Sequence, residues 1–382
     1  MSTCWEEKKL KSILKLEYGK PLDVSHRSPN GLYPAYGANG EKTRTNKFYF
    51  DNPSIIVGRK GSAGEITLTE EKFWPLDVTY FVTFNEKEHD LRFLYYLLSK
   101  LELPKLAKGV KPGINRNDVY AKKVNVPNVQ EQKRIVALLD KAFEAIDISI
   151  ENTKKNLHNA RELFQSYLDS IFSEDINDIT EIKIGDVCEM LNGFAFKSKD
   201  AVSGSNTQLL RMGNLYNNTI SFERRPVFYP DEFSIEYNKF LIKEGDLVIS
   251  LTGTVGKEDY GYVVKIPKHS HNLLLNQRIA KFNIKEPERV ASSYLLYYLR
   301  SRLFLKILYS TSNGTRQANL SSETILKLPF PLRPIAEQHK ILKSIEGISK
   351  NCSLLESIYQ KKRSAFEELK KSLLHQAFSG EL

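Results

Sequence analysis

The sequence is poor in sulfur-containing residues and has no long apolar run. It has 382 residues, of which three are cysteine and three are methionine. Cys4, Cys188 and Cys352 are too few and too far apart for a disulfide framework or a Cys-x-x-Cys metal site. The longest apolar segment, residues 294–299, is far shorter than the ~18 residues that a membrane span needs. The N-terminus lacks the apolar stretch of a secretory signal, so we expect a cytoplasmic protein.

The signatures of common enzyme classes are also missing. The motif His269-x-His271 has no carboxylate or cysteine nearby at the spacing of zinc ligands. The sequence contains no Gly-x-Ser-x-Gly, His-Glu-x-x-His, Rossmann or Walker motif, and no Asn/Asp-Pro-Pro-Tyr signature. We therefore expect a non-catalytic binding protein with no metal site and no cofactor of its own.

The sequence repeats itself once. Residues 131–173 align without a gap onto residues 337–379, and ten positions are identical where composition predicts about two or three. The Gly-x-x-Gly spacing of Gly61 and Gly64 recurs at Gly253 and Gly256. The offset between the copies grows along the chain, which predicts insertions in the second copy around residues 215–245.

Both copies of the aligned segment predict a long amphipathic helix. Apolar residues recur at alternating steps of four and three, although Arg363 and Lys370 interrupt the pattern in the second copy. About 40 helical residues give a rod of ~60 Å. Neither rod has a core of its own, so we expect the two to pack antiparallel. In the alternative, each helix packs only on its own domain.

These patterns predict an α+β protein with two duplicated mixed α/β domains. The domains are separated by two long, antiparallel, coiled-coil-like helices in a pseudo-twofold arrangement. The predicted boundaries are 1–130 for the first domain, 131–178 for the central helix, 179–336 for the second domain and 337–382 for the C-terminal helix.

The formal net charge of +10 is concentrated in the two predicted domains. Residues 1–130 and residues 181–336 each hold 21 basic and 15 acidic side chains, whereas residues 131–180 hold 6 and 10. This distribution is typical of domains that contact nucleic-acid phosphates and are joined by a spacer. A surplus of this size also occurs on ordinary solvated surfaces.

Loops with glycine and basic or amide side chains occur in both halves. Glycine lets a backbone approach a phosphate closely, and Arg, Asn and Gln make bidentate contacts with base edges. The same residues are common in tight hairpins and ordinary loops. The candidate DNA-contacting residues are Asn39, Lys42, Arg59, Lys60, Ser62, Lys108, Lys111, Asn115, Arg116, Lys197, Arg211, Asn214, Thr252, Thr254, Arg278, Asn313, Thr315, Arg316 and Gln317.

A turn with proline leads to Glu-Gln-x-x-Ile at the start of each long helix, at Glu131 and at Glu337. The segments that characterise the chain as a member of a known family are residues 36–40, 55–64, 127–135, 191–197, 245–249, 276–278 and 329–341. On these segments the chain resembles the specificity (S) subunits of type I restriction–modification systems. It departs from their pattern after Pro127, where the turn lacks a second proline.

The resemblance implies two target-recognition domains, each of which binds one half of a bipartite site in double-stranded DNA. It also implies that the helices bind methyltransferase subunits, two of them in the usual assembly, and that restriction subunits join the complex. S-adenosylmethionine, ATP and magnesium would then belong to the partner subunits, and this chain would direct adenine methylation and cleavage. The candidate partner-binding residues are Glu131, Gln132, Glu337 and Gln338.

Two other functions remain open at this point. One is a duplicated nucleic-acid-binding scaffold outside restriction–modification. The other is a coiled-coil adaptor that binds only proteins.

Overall fold

The computed structural model describes residues 5–173, 180–254, 256–311 and 317–381. The chain divides into two compact units. Unit 1 comprises Met1–Lys155 and Gln360–Leu382, and unit 2 comprises Asn156–Tyr359. Each unit therefore contains one mixed α/β domain and one segment from each of the two long helices.

Unit 1 is built around a four-stranded antiparallel sheet. Its elements are β1 (Glu6–Lys9), β2 (Leu14–Tyr18), β3 (Tyr33–Gly37), β4 (Gly40–Thr45), β5 (Ser54–Gly58), β6 (Ile66–Thr69), β7 (Trp74–Pro75), β8 (Thr79–Phe84), α1 (Leu91–Lys100), α2 (Arg116–Tyr120), β9 (Lys123–Val126) and the long helix α3 (Val129–Ser173). The main sheet has the order β2-β8-β5-β6, and a smaller sheet has the order β4-β3-β7. Strand β5 is buried along its length because its Ile and Val side chains pack between neighbours on both faces.

Unit 2 repeats this plan with additions. Its elements are β10 (Thr180–Lys183), α4 (Ile184–Val187), β11 (Cys188–Asn192), β12 (Thr207–Leu210), β13 (Leu215–Tyr216), β14 (Thr219–Ile220), β15 (Phe228–Tyr229), α5 (Phe233–Glu236), β16 (Leu241–Ile242), β17 (Leu247–Ser250), β18 (Thr252–Thr254), β19 (Val263–Lys265), β20 (Asn272–Leu275), β21 (Ile279–Ile284), α6 (Ser292–Arg300), α7 (Arg302–Ser310), β22 (Gln317–Asn319), α8 (Ser322–Leu326), β23 (Pro329–Leu332) and the long helix α9 (Ile335–Ser379).

The strand orders of the two units confirm the duplication. The sheet β11-β21-β17-β19 matches β2-β8-β5-β6 strand for strand, and the pair β10-β23 matches β1-β9. The parallel pair β12-β20 likewise corresponds to β3-β7. The predicted insertion around residues 215–245 is also confirmed, because that stretch contains β13, β14, β15, α5 and β16.

Within each unit, the segments of α3 and α9 run antiparallel. In unit 1, Asp147 of α3 forms an ion pair with Lys370 of α9, and Ile135 lies in the same core as Phe378. In unit 2, Arg161 Nε lies 3.2 Å from a carboxylate oxygen of Glu356. The arrangement in which each helix packs only on its own domain is wrong for α9, since the Phe378 ring lies 5.0 Å from the ring of Phe93 in unit 1.

Lys370 supports the helix pairing that the sequence pattern predicted it to weaken. Its ammonium group lies 5.3 Å from the centre of the Phe143 ring and is paired with Asp147. The aliphatic part of a lysine covers apolar surface while its charge finds a carboxylate and a ring face. The pseudo-twofold relation between the units and the domain boundaries 1–130, 131–178, 179–336 and 337–382 stay predictions.

Candidate nucleic-acid interface

In unit 1, two of the predicted contact loops lie against each other. The loop after β5 donates a hydrogen bond from Gly61 N to Pro112 O (2.9 Å), and Ile114 N donates to Arg59 O (3.0 Å). This pairing brings the candidates Arg59, Lys60, Ser62, Lys108, Lys111, Asn115 and Arg116 into one surface. Gly64 makes the turn possible, because it has φ +87° and a Cβ there would lie 2.4 Å from the Pro104 nitrogen.

The turn between β3 and β4 lies beside the same loops. A Cβ on Gly58 would lie 2.6 Å from Ala38 O, so the turn approaches the β5 loop closely. The candidates Asn39 and Lys42 lie on this hairpin, and both are exposed. Three separate loops of the first domain therefore contribute candidate residues to one face.

Unit 2 pairs the equivalent segments in the same way. Strand β18 is antiparallel to β22, with Thr252 opposite Asn319 and Thr254 opposite Gln317. Leu251 N donates to Arg278 O at 2.9 Å, which brings a third candidate segment to this place. Asn313, Thr315 and Arg316 lie outside the described residues.

Aromatic rings hold two of the cationic candidates in unit 1. The Tyr18 ring centre lies 5.3 Å from the guanidinium carbon of Arg59 and 5.1 Å from that of Arg116. Arg59 Nη2 also donates to Asp77 O at 2.8 Å. Cation–π contacts of this kind fix a guanidinium without neutralising it. Both positive charges are therefore presented in defined positions.

Several candidates have roles within the chain. Asn115 is the N-cap of α2, since its side chain accepts a hydrogen bond from Asn117 N at 2.9 Å. Lys108 pairs with Asp118 at 3.0 Å, and Lys197 is exposed while its carbonyl accepts a hydrogen bond from Tyr229 Oη. Lys60, Ser62 and Lys111 are exposed.

Asn214 and Thr252 do not have the exposure that base contact requires. Asn214 is 3% exposed, and its side chain accepts from Arg211 N and donates to the carbonyls of Ser221 and Arg224. The Thr252 hydroxyl donates to Met212 Sδ at 3.0 Å. The sequence interpretation of these two residues as DNA contacts is therefore corrected: both position the loops around them.

Asp259 fixes the exposed candidate Thr254. The Asp259 carboxylate accepts hydrogen bonds from the backbone nitrogen and the hydroxyl of Thr254. These hydrogen bonds lower the pKa of Asp259, the one from the backbone nitrogen most strongly. The carboxylate stays ionised at neutral pH and holds the end of β18 in place.

Gln132 and Gln338 are buried inside the chain and occupy the same position in the two units. Gln132 is fully buried, and its Oε1 accepts from Asp90 N (2.9 Å), the N-cap of α1. Its Nε2 donates to Pro127 O (2.9 Å) and Glu88 O (3.1 Å). Both ends of the amide are thus used within unit 1.

Gln338 repeats every one of these contacts in unit 2. Its Oε1 accepts from Ala291 N (2.9 Å), the N-cap of α6, and its Nε2 donates to Arg333 O and Arg289 O, both at 2.7 Å. The prediction that the two glutamines bind a partner is corrected, since their amides join each long helix to its domain. The duplicated Glu-Gln motif correctly marked equivalent positions in the two units, but the partner-binding role predicted for its glutamines was wrong.

The neighbouring glutamates form local ion pairs. Glu131 accepts two hydrogen bonds from Arg134, at 2.9 and 2.7 Å, and these lower the pKa of its carboxyl group. Glu337 pairs with Arg333, whose side chain is 2% exposed and donates to Ile171 O at 2.9 Å. Both pairs lie at the start of a long helix, where negative charge is favourable.

A cavity beside β12 was missed by the sequence reasoning. Its volume is about 450 Å³, and it contains Arg224, Arg225 and Asn276 as well as the candidates Arg211 and Arg278. The adjacent arginines within the insertion were the available signal. Among the described residues, no group of three or more His, Cys, Asp or Glu is placed to bind a metal ion. In the same part of the chain, no helix has the length and hydropathy of a membrane span.

Comparison with known proteins gives consistent matches over nearly the whole chain. A family model described as "Type I restriction modification DNA specificity domain" matches residues 3–158 and 176–362. The type I restriction enzyme EcoDI specificity subunit of Escherichia coli is 20% identical over an alignment that covers 99% of this chain and 88% of that protein. The EcoAI specificity subunit of Escherichia coli is 29% identical, but the alignment covers 46% of this chain and 29% of that protein.

Solved structures share the fold. One, from a study of complex assembly and conformational transition of the type I R-M system, has a TM-score of 0.75 at 16% identity and covers 100% of both chains. The HsdS subunit from Thermoanaerobacter tengcongensis has a TM-score of 0.52 at 16% identity, and covers 99% of this chain and 97% of that chain.

Proposed function

Since the chain belongs to the type I restriction–modification DNA specificity family, we propose that it is the subunit that reads a bipartite DNA target for a methyltransferase and restriction complex. The observation that carries the proposal is the repeated pairing of two loops. The β5 loop pairs with residues 108–116 in unit 1, and β18 pairs with β22 in unit 2. One surface per unit is what two half-sites require.

The two surfaces combine backbone attraction with base recognition. Lysine and arginine side chains attract phosphates, and this attraction is salt-dependent and independent of sequence. Loop side chains that enter the major groove discriminate bases by ~1–3 kcal/mol for each good bidentate contact. In unit 1, we assign such contacts to Arg59 and Arg116, which the Tyr18 ring holds in place.

The long helices offer matched apolar positions for partner subunits. Ile148 and Leu163 of α3 correspond by the repeat to Leu354 and Leu369 of α9, and their exposed fractions are 56%, 59%, 61% and 45%. Single exposed apolar side chains are ordinary on protein surfaces, whereas their recurrence at equivalent positions of both copies of the repeat favours a protein contact. We assign these positions to two methyltransferase subunits, one for each copy of the repeat.

In this assignment the chain itself carries out no reaction. S-adenosylmethionine is bound by the methyltransferase subunits, and ATP and magnesium by the restriction subunits. The complex acts on double-stranded DNA in the cytoplasm. The domain boundaries at residues 130, 178 and 336 mark the exchangeable parts.

A genome-wide map of adenine methylation tests the proposal. The map is recorded with this gene intact and with it deleted, while any neighbouring methyltransferase gene is kept. We expect one split motif to disappear on deletion. A map that does not change, together with no methyltransferase in the purified complex, would contradict the proposal and favour a DNA-binding scaffold outside restriction–modification.

A further inference from the structure

The arginine cavity of unit 2 has an unusual charge. Arg211, Arg224, Arg225 and Arg278 line one space of about 450 Å³, together with Asn276. The cavity lining contains no Asp or Glu, and none of these arginines forms a salt bridge with a described residue. Arginine stays charged at any pH at which the protein is folded. Within the part of the chain that the structure describes, four arginines therefore line this cavity and no acidic side chain does.

Contacts within the chain hold Arg211, Arg224 and the backbone of Arg225 before any ligand binds. The buried side chain of Asn214 donates to Ser221 O (2.9 Å) and Arg224 O (3.1 Å), and so holds the loop that carries Arg224 and Arg225. Arg211 Nη2 donates to Arg225 O, while Arg211 Nε is buried without a hydrogen-bond partner among the described residues. The Arg224 guanidinium lies 5.6 Å from the centre of the Tyr216 ring. Such preorganisation lowers the entropic cost of binding an anion.

We propose that this cavity binds a phosphodiester group of the DNA backbone beside the half-site that the second domain reads. The inference rests on the proposed function and adds a ligand and a role for these residues. Base edges lie inside a groove and are read by side chains that enter it, whereas phosphates lie on the outside of the duplex and are contacted by arginine and lysine side chains that position the protein. Arginine matches phosphate oxygens with two parallel hydrogen bonds.

The insertion gives this anchor to the second domain. Arg224 and Arg225 lie between β14 and β15, in the stretch that expands unit 2 relative to unit 1. The two half-sites are therefore held differently, and the second domain has an additional backbone contact. Arg211 and Arg278 then position the duplex and do not read bases.

Salt titration of DNA binding tests the inference. The complex of the full chain with its methyltransferase subunits is titrated with a 30-bp duplex of random sequence. It is also titrated with a duplex of the same length that contains the target motif identified by the methylation map. The variants are Arg224→Ala and Arg225→Ala. Arg289→Ala is the matched control, since it removes one positive charge from an exposed arginine of the same unit that pairs with Glu286.

We expect each cavity variant to weaken binding of both duplexes by the same factor. The slope of log K against log salt concentration should become less steep by ~0.9 for each phosphate that the variant no longer binds. Arg224→Lys keeps the charge and should keep the slope, which separates removal of the charge from a failure to fold. The methylation motif should stay the same in every variant.

Two outcomes would overturn the inference. A variant that relaxes the motif at one base pair while the salt slope is unchanged would show that these arginines read a base. A variant that behaves like Arg289→Ala would show that the cavity does not bind DNA. Neither outcome resembles failure of the proposed function, in which the unaltered complex would show no salt-sensitive binding of either duplex.

Discussion

The change Gln132→Ala should loosen the attachment of the first domain to its long helix. The substitution removes three hydrogen bonds and leaves the buried Pro127 O and the partly buried Asp90 N and Glu88 O without that partner. At ~1 kcal/mol for each net hydrogen bond, with a further cost for the groups left unpaired, the local loss of stability is about 2–4 kcal/mol. This corresponds to roughly 30- to 700-fold in an opening equilibrium.

Hydrogen exchange at the Asp90 amide measures this loss directly. The readout is local, so it does not require the whole chain to unfold in a single two-state step. Gln130→Ala is the matched control, since Gln130 lies in the first turn of the same helix and is less buried than Gln132. Gln338→Ala should have the same effect at the Ala291 amide of unit 2. If exchange at Asp90 in Gln132→Ala is accelerated less than about threefold, the assigned role of the amide is refuted.

Four further changes test the proposed organisation. Inserting seven residues into both α3 and α9 lengthens each helix by ~10 Å and should add about three base pairs to the non-specific spacer of the target; an unchanged methylation motif would contradict the spacer role. Exchanging residues 1–130 for those of another specificity subunit should change one half-site only, and a change in both halves would argue against modular recognition. The double variant Ile148→Asp/Leu354→Asp should reduce the amount of methyltransferase subunit that co-purifies with the chain. Lys154→Asp is the control, because Lys154 is a charged position of α3 that pairs with Glu151. If the double variant co-purifies with as much methyltransferase as the unaltered chain, these positions do not belong to the interface. Burial raises the pKa of Cys188 to about 12, so its thiol should react with iodoacetamide at pH 8 only after unfolding in urea. Rapid labelling of Cys188 in the native chain would show that this thiol is accessible to solvent.

Periodicity and repetition revealed the architecture because they reflect backbone geometry. The steps of three and four from Ile135 predicted helix α3, which extends from residue 129 to residue 173. The growing offset between the repeats placed the insertion where β13 to β16 lie. Both patterns arise from local chain geometry, so a single sequence carries them.

Side-chain roles were harder to predict because they depend on contacts between residues far apart in the chain. Gln132 and Gln338 were recognised as a pair, but burial and hydrogen bonds to segments 40 or more positions away gave them an internal role. The amide of Asn214 is suited to contacting a base edge, but the residue is only 3% exposed. Arg224 and Arg225 gained significance only when folding placed them beside Arg211 and Arg278.

The C-terminal end of α9 determines when the core of the first domain can be completed during translation. The core of unit 1 includes Leu373, Leu374, Ala377 and Phe378, although the rest of that unit comes mainly from the first 155 residues. The first domain therefore emerges from the ribosome long before the residues that complete its core have been made. A chain truncated anywhere in its second half has a first domain that lacks these side chains. Only chains that include residue 378 therefore have a first domain with a complete core.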